Sequence, residues 1–149
     1  MKTNIIKGRK QLRSYDIPVD VYDREVYLYI GQTMADACFG AESEFKEFDL
    51  KLTENEPSGT LASAITITLP SGRKGELILL AIGESENHEI LGILVHESLH
   101  TSWHILNTVG IHIEHENHEA QAYLLEYIFV QCKLAVEHYI KTYKLKIKL

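Results

Sequence analysis

Within the second half of the chain, His96-Glu97-Ser98-Leu99-His100 sets out residues whose types and spacing can do chemistry together. On an α-helix, residues four apart stand one above the other on the same face. Two imidazoles at that spacing can point at one ion. Glu97 projects about 100° round the helix from His96, beside such an ion rather than onto it. There it can take a proton from a water polarised by the metal, as the general base does in zinc hydrolases.

Catalytic zinc usually takes three protein ligands and keeps one position for water, so a third ligand has to come from elsewhere. Glu119 is the leading candidate. It lies nineteen residues beyond His100, in the first turn of the next predicted helix, and a helix-link-helix hairpin can fold that turn back over the histidines. Glu116 and His115 are the competitors. Seven of the eight histidines fall between His88 and His118. His88, His112, His118 and His138 read as ordinary surface residues, and His104 as a surface residue or a support for the ligands.

The elements that must position these groups can be read from hydrophobic periodicity. Residues 1–15 are basic and polar, an arm or an edge strand. Ile17 to Ile30 alternates with period two, predicting a β-hairpin that ends at Gly31. Thr33 caps a short helix, Met34 to Phe39, closed by Gly40. Residues 41–58 are acidic and irregular, a solvated loop through Glu54-Asn55-Glu56-Pro57-Ser58-Gly59. Ala64–Leu69 and Glu76–Ile82, joined at Pro70-Ser71-Gly72, form a second and more apolar hairpin, expected at the centre of the sheet.

The motif helix is predicted from an N-cap at Ser85, with Glu86 and Glu89 in its first turn, to Val109, stopping at Gly110. Its apolar stripe is Leu91, Val95, Leu99, Trp103 and Leu106, which places Trp103 in the core. A link over residues 111–117 leads to a second long helix, His118 to Thr142, with Leu124, Ile128, Cys132 and Val136 among its buried residues. Tyr123 and Tyr127 read first as core aromatics. The tail 144–149 alternates and suits an edge strand guarded by lysines or a frayed end. The expected architecture is α+β and zincin-like: one domain over 1–149, a small sheet of hairpins against two long helices.

Composition narrows the function classes. The chain has 149 residues, 45% apolar and 24% charged, as in ordinary globular proteins. A net charge of −6 argues against a general nucleic-acid binder. The N-terminus lacks the apolar core of a signal peptide, and no apolar run is long enough to span a bilayer. Cys38 and Cys132 are far apart and read as reduced core residues, so the expected setting is cytoplasmic, away from membranes.

The motif followed about twenty residues later by a helical glutamate resembles the gluzincin branch of zinc metallopeptidases. Glu119-Ala120-Gln121-Ala122-Tyr123-Leu124-Leu125 resembles the Glu-Ala-x-x-[Phe/Tyr]-Ala segment of minimal prophage-type gluzincins, the ImmA/IrrE-like group, and small phage and prophage proteins with Glu-Ala-x-Ala-Tyr. The likeness covers about residues 75–130. It implies Zn2+ on His96, His100 and Glu119, with Glu97 acting on water. The chain lacks the Asn-Glu-x-x-[Ser/Asp]-Asp pattern of large secreted gluzincins, and Tyr123 stands where those enzymes carry a carboxylate. Tyr123, His104 and His115 are the candidate donors to the oxyanion, and the strand Leu77–Ile82 is a candidate edge for an extended peptide. The expected function is a small zinc-dependent peptidase acting on a protein or peptide. Its rivals are a zinc-binding protein that holds a partner without turnover, and a structural site tying two helices together.

Overall fold

The computed structural model describes every residue except 55–58, 70 and 86–88. The Pro57 loop, the Pro70 turn, Glu86 and His88 therefore lie outside the described residues. Five strands form one mixed sheet: β1 (Lys2–Ile5), β2 (Arg13–Val19), β3 (Arg24–Gly31), β4 (Ala62–Thr68) and β5 (Lys74–Ala81). Their spatial order is β1-β2-β3-β5-β4. Every pairing is antiparallel except β3 with β5, which is parallel. Three α-helices complete the fold: α1 (Met34–Glu44), α2 (Ile90–Thr108) and α3 (His118–Tyr143).

The first hairpin forms as the alternation implies, and its β2 begins four residues earlier than expected, at Arg13. Asp23 makes its turn in the left-handed region at φ 49°, which a short polar side chain tolerates. The N-terminal residues include an edge strand, β1. Thr33 closes a reciprocal capping box with Asp36. Gly40 does not end α1, which continues to Glu44. A Cβ there would come within 2.9 Å of the Tyr29 ring, so this glycine serves close packing of helix on strand.

The second hairpin is only half central. β5 is bonded on both sides, so the stretch Leu77–Ile82 offers no edge, and the free edge belongs to β4. Burial follows from that order. Leu77 and Leu79 face α1, together with Tyr29, Met34 and Ala37. Ile78 and Leu80 face α2 and α3, together with Leu28, Ile30, Ile105 and Ile128. A strand with both faces covered reads as a continuous apolar run, and β5 does so from Leu77 to Ile82.

The motif helix begins at Ile90 rather than after Ser85, whose hydroxyl donates instead to the Ala81 carbonyl at 2.9 Å. It is also rotated from the expected face. Val95, Leu99 and Trp103 are 42%, 41% and 54% exposed, and the buried side is Ile90, Leu94, Ser98, Thr101, Ser102 and Ile105. Three small hydroxyl residues thus sit inside. Thr101 and Ser102 donate to the carbonyls of Glu97 and Leu99, both at 2.8 Å, which removes most of the cost of burying them. Small side chains let the helix lie close on the sheet, while the large apolar ones remain outside. Trp103→Ser should accordingly change stability by no more than about 0.5 kcal/mol. Ile105→Ala should cost about 2–5 kcal/mol, both measured by chemical denaturation.

Helix α2 stops at a left-handed glycine, Gly110 at φ 80°, and Asn117 ties the link to α3 by bonds to Glu114 N and His112 O, each 2.7 Å. The tail forms no strand. Leu145, Ile147 and Leu149 pack in part against the α2–α3 side of the core, so its alternation reflects one-sided docking. Cys38 and Cys132 are buried and free. No helix among the described residues is long and apolar enough to cross a membrane.

Candidate metal centre and groove

Helix α2 packs on β4 and β5, and α3 on β2 and β3. The histidine face of α2 therefore looks across the free edge of the sheet. A hollow of about 270 Å³ lies between them, lined by Ala62, Ser63, Ala64, His96, Glu97, His100 and His104. A second, of about 510 Å³, continues past His96 toward Leu61, Gly92 and Ile93. Together they make a groove along β4.

The two motif imidazoles converge. Their Nε2 atoms stand 3.0 Å apart, with ring planes 74° to one another. Two nitrogens at about 2.05 Å from a tetrahedral zinc stand about 3.3 Å apart, so a widening of a few tenths of an ångström would admit the ion. This donor pair fits zinc. Glu97 lies between helix and strand, 7% exposed, and its carboxylate accepts the backbone N–H of Ala64. Burial pushes Glu97 above the usual carboxylate range, and the neighbouring His96 and His100 oppose that rise.

The other expected ligand stands apart. Glu119 is exposed, its side chain 68% accessible, with the His118 ring 3.6 Å away. The competitors are exposed too, and His115 accepts a bond from His118 through its backbone carbonyl at 2.7 Å. Among the described residues, no three His, Cys, Asp or Glu side chains gather to hold a metal. The reason is rotational. α3 turns Leu124, Ile128, Cys132 and Tyr139 to the core. Glu119, five residues before Leu124 and nine before Ile128, lies about 140–180° away from them on the helix. The imidazole pair, moreover, is on the β4 side of α2, where α3 does not pack.

Tyr123 is not in the groove either. It is 69% exposed and lines a separate apolar hollow with Val19, Val21, Tyr22 and Tyr127. Tyr127, 40% exposed, donates to the Pro18 carbonyl at 2.8 Å. Neither tyrosine is a core residue, because the face they share looks past the sheet toward the β2–β3 turn. Of the three candidate donors, His104 alone lines the hollow with Glu97.

One further group escaped the sequence reading. Glu76 is 0% exposed in β5. The Thr66 hydroxyl, directly opposite on β4, stands 2.8 and 3.1 Å from its two oxygens, and His104 Nδ1 is 3.2 Å from one of them. Burial pushes its pKa up to about 7, against the lowering influence of Thr66, Arg24 and Lys74. The signal was available: a lone carboxylate opening an apolar run on a strand covered on both sides.

No protein-family model matches the chain, and neither the curated proteins nor the solved structures give a match.

Proposed function

We propose that the chain is a zinc-dependent hydrolase of minimal gluzincin type, a small cytoplasmic peptidase acting on a protein or peptide in a bacterial or phage setting. The observation that carries this reading is the 3.0 Å approach of two imidazole nitrogens beside a carboxylate fixed against a free sheet edge. His96 and His100 would hold the ion, which supplies Lewis-acid polarisation of water and carbonyl when bound.

The chain's own residues do the rest. An extended peptide can lie along β4, where the unpaired backbone offers hydrogen bonds. Glu97, anchored by Ala64, faces the space beside the imidazoles. It takes the proton as water attacks the carbonyl and returns it to the leaving amine. Burial favours this role, since a raised pKa brings a carboxylate closer to that of an effective base near neutral pH.

A second reading is a zinc-binding protein that holds a partner without turnover. The exposed position of Glu119 favours it, because a pair of imidazoles without a third protein ligand makes a weaker site. Elemental analysis of the untagged protein should find about one zinc per chain, and absence of metal with no uptake on titration would remove both readings. Glu119→Ala should leave zinc affinity within about twofold of wild type. A drop of tenfold or more would show that the first turn of α3 reaches the ion in the loaded protein.

A further inference from the structure

We propose that His104 is the hydrogen-bond donor that meets the substrate's carbonyl oxygen in the groove, and that Glu76 is the positioning residue holding its ring. The assignment rests on the hydrolase reading and extends it to a residue outside the motif. His104 lies one helical turn beyond His100, and the two rings stack with centroids 6.3 Å apart. Its side chain is 34% exposed, so one edge of the ring reaches the hollow that Glu97 also lines.

The other edge is anchored. Nδ1 stands 3.2 Å from Glu76 Oε2, and Glu76 has little freedom to move. It is fully buried on the doubly paired strand β5, with both oxygens against the Thr66 hydroxyl across the β4 ladder. An imidazole tied at Nδ1 to a carboxyl group presents Nε2 in one fixed direction, the second-sphere device that orients catalytic and metal-bound histidines alike. Neither Glu76 nor His104 belongs to the H-E-x-x-H pattern, and they come together only because β5 and α2 are packed face to face.

The step balances on these groups. The water oxygen bonds to the carbonyl carbon as its proton passes to Glu97, and the carbonyl π pair moves onto oxygen. His104, protonated at Nε2, donates a hydrogen bond to that oxygen. The C–N bond then breaks, the carbonyl re-forms, and the proton on Glu97 goes to the departing nitrogen. A donor aimed at the oxygen where charge develops acts in the transition state more than in the ground state.

The test uses the full-length zinc-loaded protein, with inorganic phosphate as a tetrahedral oxyanion probe. Zinc retention should be equal in wild type, His104→Gln, Glu76→Met and Tyr123→Phe, because none of the three substituted residues holds the ion. Phosphate affinity should fall about tenfold in His104→Gln and Glu76→Met, the scale of one hydrogen bond to a charged group, and stay unchanged in Tyr123→Phe. The ring nitrogen resonances of His104 should shift on adding phosphate to wild type and not to Glu76→Met. Should the buried substitution cost the fold, His104→Gln, at a half-exposed site, decides by itself. Phosphate binding by zinc-loaded His104→Gln equal to wild type, or none by zinc-loaded wild type, would overturn the assignment and leave the hydrolase reading standing. Failure of wild type to retain zinc is a different outcome, visible before phosphate is added, and it removes the hydrolase reading and this assignment together.

Discussion

Replacing Glu97 by Gln is expected to lower hydrolysis by about 10²–10⁴-fold, the range for loss of a positioned general base, with zinc content unchanged. Glutamine has nearly the same volume and keeps an oxygen for the Ala64 N–H, so the groove should keep its shape. What it loses is the capacity to carry a proton. The carboxylate sits next to both imidazoles, and their nearness opposes the upward push of burial on its pKa. It can therefore be ionised and still be a useful base. Turnover of a quenched fluorescent peptide library, read beside elemental analysis, checks both halves. Equal turnover in the variant would take Glu97 out of the chemistry. A biological effect that survives in the variant would favour the partner-binding reading over hydrolysis.

Glu76→Gln should stabilise the protein by about 3 kcal/mol at pH 8 and change it little at pH 4–5. The sign follows from proton counting. Burial raises the folded pKa of Glu76 from 4.5 to about 7. Between those values the folded state binds more protons than the unfolded one, so stability falls as pH rises. The loss levels off above about pH 7, where Glu76 is ionised in both states. A shift of about 2.5 units at about 1.36 kcal/mol each sets the size. Glutamine avoids it by carrying no charge to desolvate, and can keep bonds to Thr66 and His104. The groups facing Glu76 are Arg24, Lys74, His104 and Thr66, and all remain in the variant. Urea denaturation at pH 5 and pH 8 measures the difference. A stabilisation equal at both values would show that burial of the ionised carboxylate is not its cause.

That a fully buried carboxylate persists at such a cost argues for a role beyond folding. Burying an ionisable group is expensive unless it is paired, and its partners here, Thr66 and His104, border the groove. The hydroxyl residues buried on α2 belong to the same economy of space. They keep the helix near the sheet, so that Glu97 can meet Ala64 on the edge strand.

The sequence by itself determined the chemistry-bearing pair and most of the local structure. A spacing of four on a helix brings His96 and His100 together whatever the tertiary fold, because helix geometry is local. Alternation gave the two hairpins, and Thr33 gave the start of α1, since strand faces and caps are also settled by near neighbours. Which face of α2 turned inward was a tertiary decision. Val95, Leu99 and Trp103 looked like the buried stripe, yet Ser98, Thr101 and Ser102 took that place, because closeness to the sheet outweighed side-chain hydrophobicity and the helix backbone could satisfy two of the hydroxyls. The rotation of α3 that leaves Glu119 in solvent depends likewise on which residues meet the sheet, and so does the meeting of Glu76 with His104. Strand order, with β5 inside and β4 at the edge, decided where an extended peptide can dock. Contacts between segments distant in the chain leave no spacing in it to read, and the third ligand and the oxyanion donor are both contacts of that kind.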